Sequence, residues 1–321
     1  MSRAATVRTA ALRFFNEPPS RLFVIAVLTA SMLISISCPN AASKSRNKTL
    51  LTSVTPIGSI MRNVVGDKFD VVSLTTPREI AEGRLRPPSN SEIAALSKTA
   101  AGAILFGTFD KDAVEVVSDT FSNSFSTWTL SDSMRSSQTF PWVDPIAAKE
   151  IAIRVVNIAT QLAPSETEYF RRAAGEFSAA LTRVDRVISD TASTIPADGR
   201  KLAATTESLR PFFERYGFSY YSIESEGGTS ALAARMRSEG ISVVYVNAFG
   251  SSHYGELARE VFEDSGARLQ GDLFDARLPG PVGSQFHTYL GMLIENARQA
   301  FAPLGADVSR LDSLSPVDVA P

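Results

Sequence analysis

"PSETEYFRRAAGEFSAALTRVDRVISDTA", residues 164–192, is the most regular stretch of a 321-residue chain. Phe170, Ala173, Phe177, Leu181, Val184 and Ile188 recur every three or four residues, the spacing of one helical face. Pro164 opens the stretch, and Ser165 and Glu168 have the Ser-x-x-Glu spacing of a capping box. The pattern predicts a helix of about 25–28 residues, roughly 40 Å long at 1.5 Å per residue. Such a helix in mid-chain bridges whatever folds on either side of it.

Both sides alternate strand-like and helical patterns. Before it, "TLLTSVT" (49–55), "FDVVSLTT" (69–76) and the nearly continuous apolar run "AGAILFGT" (101–108) read as strands. Pro56 starts a helix with Ile57, Ile60, Met61 and Val64 on one face. A polar loop (77–90) precedes a short helix carrying Ile93 and Leu96, and Asp110 opens another. In "QTFPWVDP" (138–145), Asp144 is an N-cap and Pro145 the first helical residue, leading a stripe of Ile151, Val155, Ile158 and Leu162. After the long helix, "RKLAATT" (200–206), "FSYYSIE" (218–224), "ISVVYVNA" (241–248) and "ARLQGDLF" (267–274) are strand candidates. Helices are expected around 208–216, 229–238, 254–265 and 284–303, the third ended by Gly266 as a left-handed cap. The last residues, "SLSPVDVAP", read as frayed. The fold class is therefore α/β: two parallel-rich lobes bridged by one long helix, with a ligand cleft between them. The expected boundaries are 49–163 for the N-terminal lobe, 164–195 for the bridging helix, 196–305 for the C-terminal lobe and 306–321 for a tail.

Composition is that of a globular protein, 44% hydrophobic and 21% charged. The N-terminal residues differ. Arg3, Arg8, Arg13 and Arg21 precede the apolar run "LFVIAVLTASMLISIS" (22–37), which reads as a signal peptide over 1–37. An uncleaved anchor helix is the alternative. Cys38, the only cysteine in the chain, follows directly and reads as an acylation site, with 38–48 as a lipid-anchored tether. Beyond residue 37 acids outnumber bases, 33 to 28, and no basic stripe suggests nucleic acid. There is no phosphate loop, Cys-x-x-Cys, His-Glu-x-x-His or nucleophile elbow, so no constellation supports an enzyme.

The order of "TSVTPIGSIMRNVVGDKFDVVSL", "PWVDPIAAKEIAIRVVNIATQLAPSETEYFRRAAGEF", "FFERYGF", "VVYVNAFGSS" and "TYLGMLIENARQAF" resembles the substrate-binding lipoproteins of bacterial zinc and manganese ABC importers. The resemblance covers nearly all of residues 49–303. It implies an extracytoplasmic, lipid-anchored monomer delivering a divalent metal ion (zinc or manganese) to an ABC permease and its ATPase, with no catalytic cofactor. It also implies where metal ligands belong. Arg84, in "EGRLRPPSN", stands at the first histidine position and Phe140 at the second. The third falls on Thr206, with Glu207 one residue on, and the fourth near Asp275 in "LFDARL".

Zinc takes about four nitrogen, sulfur or carboxylate ligands, and an arginine at a ligand position repels a cation and favours an anion. His253 and His287 fall on no ligand position. The oxygen donors left are Glu207 and Asp275, with Glu79 or Glu82 from the 77–90 loop, a set that suits a hard cation such as manganese. Phe140 and Trp142 are either a stacking wall of the cleft or core residues. Glu207 and Asp275 are either ligands or a helix-start charge and a turn residue. The second class of function is a degenerate family member, serving as a surface adhesion or accessory lipoprotein or binding a non-metal solute.

Overall fold

The computed structural model describes residues 48–74, 91, 96, 99–107, 125–130, 140–247 and 252–319. They fall in one unit, Arg46–Pro321. The first sheet comprises β1 (Thr49–Thr52), β2 (Asp70–Ser73), β3 (Ala100–Leu105) and β4 (Ser126–Thr129), in the order β2-β1-β3-β4. The second comprises β5 (Lys201–Ala204), β6 (Ser219–Ser222), β7 (Val243–Asn247) and β8 (Arg268–Leu273), in the order β6-β5-β7-β8. Every pairing is parallel. The two sheets thus share one topology, and β1 and β5 hold equivalent places beside the point where strand order reverses. In open parallel sheets ligands bind at the carboxyl ends of strands at that point.

The helices are α1 (Thr55–Val65), α2 (Pro145–Leu162), α3 (Thr167–Ala192), α4 (Arg210–Arg215), α5 (Ile223–Glu226), α6 (Thr229–Glu239), α7 (Ser252–Ser265) and α8 (Tyr289–Phe301). The bridging helix α3 has 26 residues and buries the predicted face, with Phe170, Phe177, Leu181 and Ile188 at zero exposure. It packs on α1 and α2 of the first lobe and on α8 of the second. One apolar cluster therefore runs from Ile57 and Met61 through α3 to Phe213 and Leu293. At about 25 cal/mol per Å², that continuous burial makes the bridge part of both lobes' cores. Among the described residues, no helix is long and apolar enough to cross a membrane.

Asp144 caps α2 as its position predicts, accepting a hydrogen bond from the Ile146 amide at 2.9 Å. Gly266 (φ 69°) takes the left-handed conformation, its N–H bonded to the Phe262 carbonyl at 2.9 Å. Four readings change. The capping box does not form: residues 164–166 make a 3-10 turn, Glu166 precedes the helix with no side-chain cap, and Glu168 pairs with Arg171 at 2.9 Å. The 3-10 turn puts Ser165 inside a turn rather than in the extended conformation that a capping serine needs. Residues 126–129 form a strand unforeseen in the sequence, because four residues of Ser-Thr-Trp-Thr carry no readable alternation. The last helix begins at Tyr289, five residues later than expected. Residues 313–319 are not frayed: Leu314 is nine-tenths buried, Asp318 bonds to α1, and the Val319 amide donates to the Asn63 side chain. The predicted elements near Ile93 and Asp110, together with Glu79, Glu82 and residues 1–47, lie wholly or mostly outside the described residues.

Candidate functional site

Asp275 follows β8 and is completely buried. One carboxyl oxygen accepts from the Ala276 amide at 2.7 Å, and the other from the Ser208 hydroxyl at 2.5 Å. Ser208 and Thr206 hydroxyls lie 2.8 Å apart. Ser208 has one proton and gives it to Asp275, so Thr206 donates to Ser208. The Thr206 carbonyl in turn accepts from the Tyr220 hydroxyl at 2.6 Å. The turn after β5 and the turn after β8 are thereby joined in one buried polar chain, whose members are each satisfied by the next.

The first lobe reaches the same place through Trp142. Its indole N–H donates to the Asp275 carbonyl at 2.5 Å, and its own carbonyl accepts from the Tyr289 hydroxyl at 2.5 Å. Trp142 is fully buried and Phe140 nearly so; Trp142 meets both Phe140 and Phe106 edge-to-face, at 5.1 and 5.4 Å. For Trp142 the core alternative is what the structure shows. Its ring supports the site from beneath, and its N–H fixes the backbone that carries Asp275. Burial pushes the Tyr289 hydroxyl well above the ordinary tyrosine range, so it stays a donor.

Glu207 takes a different role from that of an open oxygen ligand. Both its oxygens are engaged, by the Arg210 guanidinium (one contact at 3.0 Å) and by the Ser222 hydroxyl. Burial alone would push this carboxyl up; hydrogen bonds from Arg210, Ser222 and Ser225 outweigh it and hold it below the usual range. Arg210 also pairs with Glu214 at 3.0 Å. A cation arriving at Glu207 would have to compete with a guanidinium already in place. The Nδ1 of His287 lies within 3.3 Å of the Pro279 and Gly280 carbonyls, so that ring staples a loop. The side chain of His253, like Arg84 and Cys38, lies outside the described residues. Among the described residues, no three His, Cys, Asp or Glu side chains cluster to hold a metal ion.

The structure thus brings Thr206, Asp275, Trp142 and Phe140 together and turns Glu207 aside. Sequence reading missed Ser208, Tyr220 and Tyr289. The available signal was the hydroxyl-rich "TTES" (205–208) at a strand end, where side chains can reach across a switch point.

No curated protein sequence matches the chain. Solved structures do. The periplasmic zinc-binding protein TroA from Treponema pallidum superimposes with a TM-score of 0.70 at 19% identity, covering 80% of this chain and 99% of that one. A manganese-bound point mutant of the periplasmic metal-binding protein from Candidatus Liberibacter asiaticus gives 0.69 at 18%, covering 80% and 100%. The cadmium-bound form of that protein gives 0.66 at 17%, with the same coverage. At these identities the likeness establishes the fold: two parallel α/β lobes on one long helix. A family model matches residues 50–300, most of the chain. By that match the chain belongs to the ZnuA family, zinc-uptake complex component A, periplasmic, a family of transport components and not of enzymes.

Proposed function

We propose that this chain is the substrate-binding component of an ABC importer on the extracytoplasmic face of a bacterial cell membrane, presenting cargo to a permease and its ATPase. The observation that carries the reading is Asp275, a buried acid where the β5 turn, the β8 turn and Trp142 of the other lobe meet. The cargo is a divalent metal ion held through oxygen donors, with Asp275 as its acid. Carboxylate and hydroxyl oxygens suit manganese better than zinc, which prefers nitrogen and sulfur. Cys38 carries the lipid anchor after removal of residues 1–37, and the mature protein works as a monomer. Labelling with a palmitate analogue, lost in Cys38→Ser, tests the anchor.

Titration calorimetry on metal-free protein tests the cargo. Manganese binding that disappears in Asp275→Ala is the expected result. Submicromolar zinc binding untouched by that substitution would sink the assignment of Asp275. A second reading is favoured by the Glu207–Arg210 pair and by the lack of a three-ligand cluster among the described residues. In that reading the chain is an accessory lipoprotein or binds a non-metal solute, and neither metal titrates.

A further inference from the structure

The turn between β1 and α1 is built of hydroxyls with nothing to bond. Thr52, Ser53 and Thr55 are 0%, 1% and 9% exposed, and each side-chain oxygen is buried without a hydrogen-bond partner. A buried hydroxyl left unpaired is destabilising, because it gives up its bonds to water and gains none. Three within four residues therefore need an explanation. The equivalent strand end of the second lobe supplies the contrast. There Thr206 and Ser208 satisfy each other and Asp275. Two sheets of one topology end their first strands in hydroxyls, and only one of the two turns closes its polar groups internally.

What surrounds the open turn selects the ligand. Helix α1 starts there with the apolar Val54 at its N-cap, no side-chain cap and no acid in its first turn. Its first amides are donors at the positive end of the helix dipole. Pro56 has no N–H, and the Gly58 amide is spent on the Val54 carbonyl at 3.0 Å. A Cβ placed on Gly58 would lie 2.6 Å from the Ser73 hydroxyl, 3.4 Å from the Thr52 methyl and 3.6 Å from a guanidinium nitrogen of Arg62. Arg62 therefore reaches back from the next turn to the same corner, as helical side chains do. Burial pulls its guanidinium down, with Asp318 opposing from a distance. The Thr52 side chain, a desolvated cation and a helix start thus lie at one corner, with Ser53 and Thr55 beside Thr52 in the same turn.

We propose that the β1–α1 turn binds an oxyanion, a phosphate or carboxylate group taken by Thr52, Ser53 and Thr55, the first turn of α1 and Arg62. This deepens the importer reading and rests on it: the cargo, or the chelate that carries its metal, bears an acidic oxygen group. The corner's positive character excludes a bare cation there.

Thermal unfolding of the mature protein with phosphate, sulfate, citrate or manganese citrate, at matched ionic strength, tests the site. An oxyanion at about ten times its Kd should raise Tm by roughly 3–6 °C. Citrate acting alone marks a free acid, and citrate acting only with manganese marks a chelate. Thr52→Val is nearly isosteric and removes an unpaired hydroxyl, so it should keep or raise the baseline Tm while losing most of the shift. Arg62→Gln should lose the shift too. No response to any of the four, or a response that survives both substitutions, overturns the site. Capture of the permease by wild-type protein is the separate check on the importer reading. A protein that binds its permease and ignores every oxyanion refutes the site alone. One that answers oxyanions but captures no permease keeps the site and refutes the importer.

Discussion

The Ser208 hydroxyl lies between Thr206 and Asp275 and has one proton to give. That single proton orders the chain: Ser208→Ala takes a donor from the buried Asp275 carboxyl and an acceptor from Thr206 together. The expected cost is about 1–3 kcal/mol in urea unfolding. Thr206→Val removes the outer donor and a long contact from the Ser208 amide (3.4 Å), leaves the Ser208 hydroxyl bonded to Asp275, and should cost about 0.5–1.5 kcal/mol. Equal costs would mean that Ser208 contributes no more to the chain than Thr206 does. Asp275 was singled out in the sequence by the resemblance of "LFDARL" to the family segment that carries an acid. Ser208 was not, because a serine in a turn carries no periodic signal and its partner is 67 residues away. Trp142 was legible as a landmark but not as a hydrogen-bond donor, since its partner is a backbone carbonyl that no side-chain pattern announces.

At the scale of elements, α3 is held to the second lobe by charge as well as by its apolar face. Arg215, at the end of α4, forks onto Asp185 of α3 at 2.7 and 2.6 Å, and Tyr216 adds a hydrogen bond to the same carboxyl at 2.9 Å. Arg215 also lies 3.9 Å from Asp144, the N-cap of α2. Arg215→Lys keeps the charge and loses the fork, and should cost about 1–2 kcal/mol. Burial pushes the Asp185 carboxyl up, but Arg215 and Tyr216 outweigh it and leave it below 3.8. A lowered folded-state value contributes stability above pH 3.8 that is lost as pH falls through it. Asp185→Asn should therefore flatten the acid limb of stability against pH below that point; an unchanged limb would show that the pair contributes nothing. The apolar face of α3 was written plainly in a spacing of three and four, and its six residues are all buried, with Thr191 and Ala192 buried at the helix end. The Arg215 rivet was invisible, because charged residues on two helices 30 positions apart look like any solvated faces.

Among the described residues the two lobes meet along α3, through Trp142, through Arg215 and Asp144, and where the tail returns to α1. Ser59 and Asn63, one helical turn apart on α1 and fully buried, both donate to Asp318, at 3.1 and 2.7 Å. The Tyr289 amide, at the start of α8, donates to the Ser59 hydroxyl at 2.8 Å, and the Val319 amide donates to the Asn63 side-chain Oδ1 at 2.8 Å. A helix of each lobe and the tail thus share one polar knot, whose bonds must break before the lobes can separate there. Sequence reading took Ile57, Ile60, Met61 and Val64 as the buried face of α1 and left Ser59 and Asn63 without a role. Only the return of a polar, proline-containing tail makes them interior. Burial pushes the Asp318 carboxyl above 3.8, against the pull of Asn63, Arg62 and Ser59. The folded chain therefore keeps this proton to higher pH than the unfolded chain does. Its contribution is fully present below pH 3.8 and is lost as pH rises through the raised value, opposite in sign to that of Asp185. Asp318→Asn cannot ionise and keeps an amide oxygen for Ser59 and Asn63. Relative to this variant, wild type should lose stability as pH rises from about 4 towards neutrality. Asp318→Ala, which leaves the Ser59 hydroxyl proton and one of the two Asn63 amide protons buried and unpaired while the other stays on the Ser59 carbonyl, should cost about 1–3 kcal/mol and loosen amide protection in α1 and at the start of α8 together. Protection lost in the tail alone would show that the knot does not join the lobes.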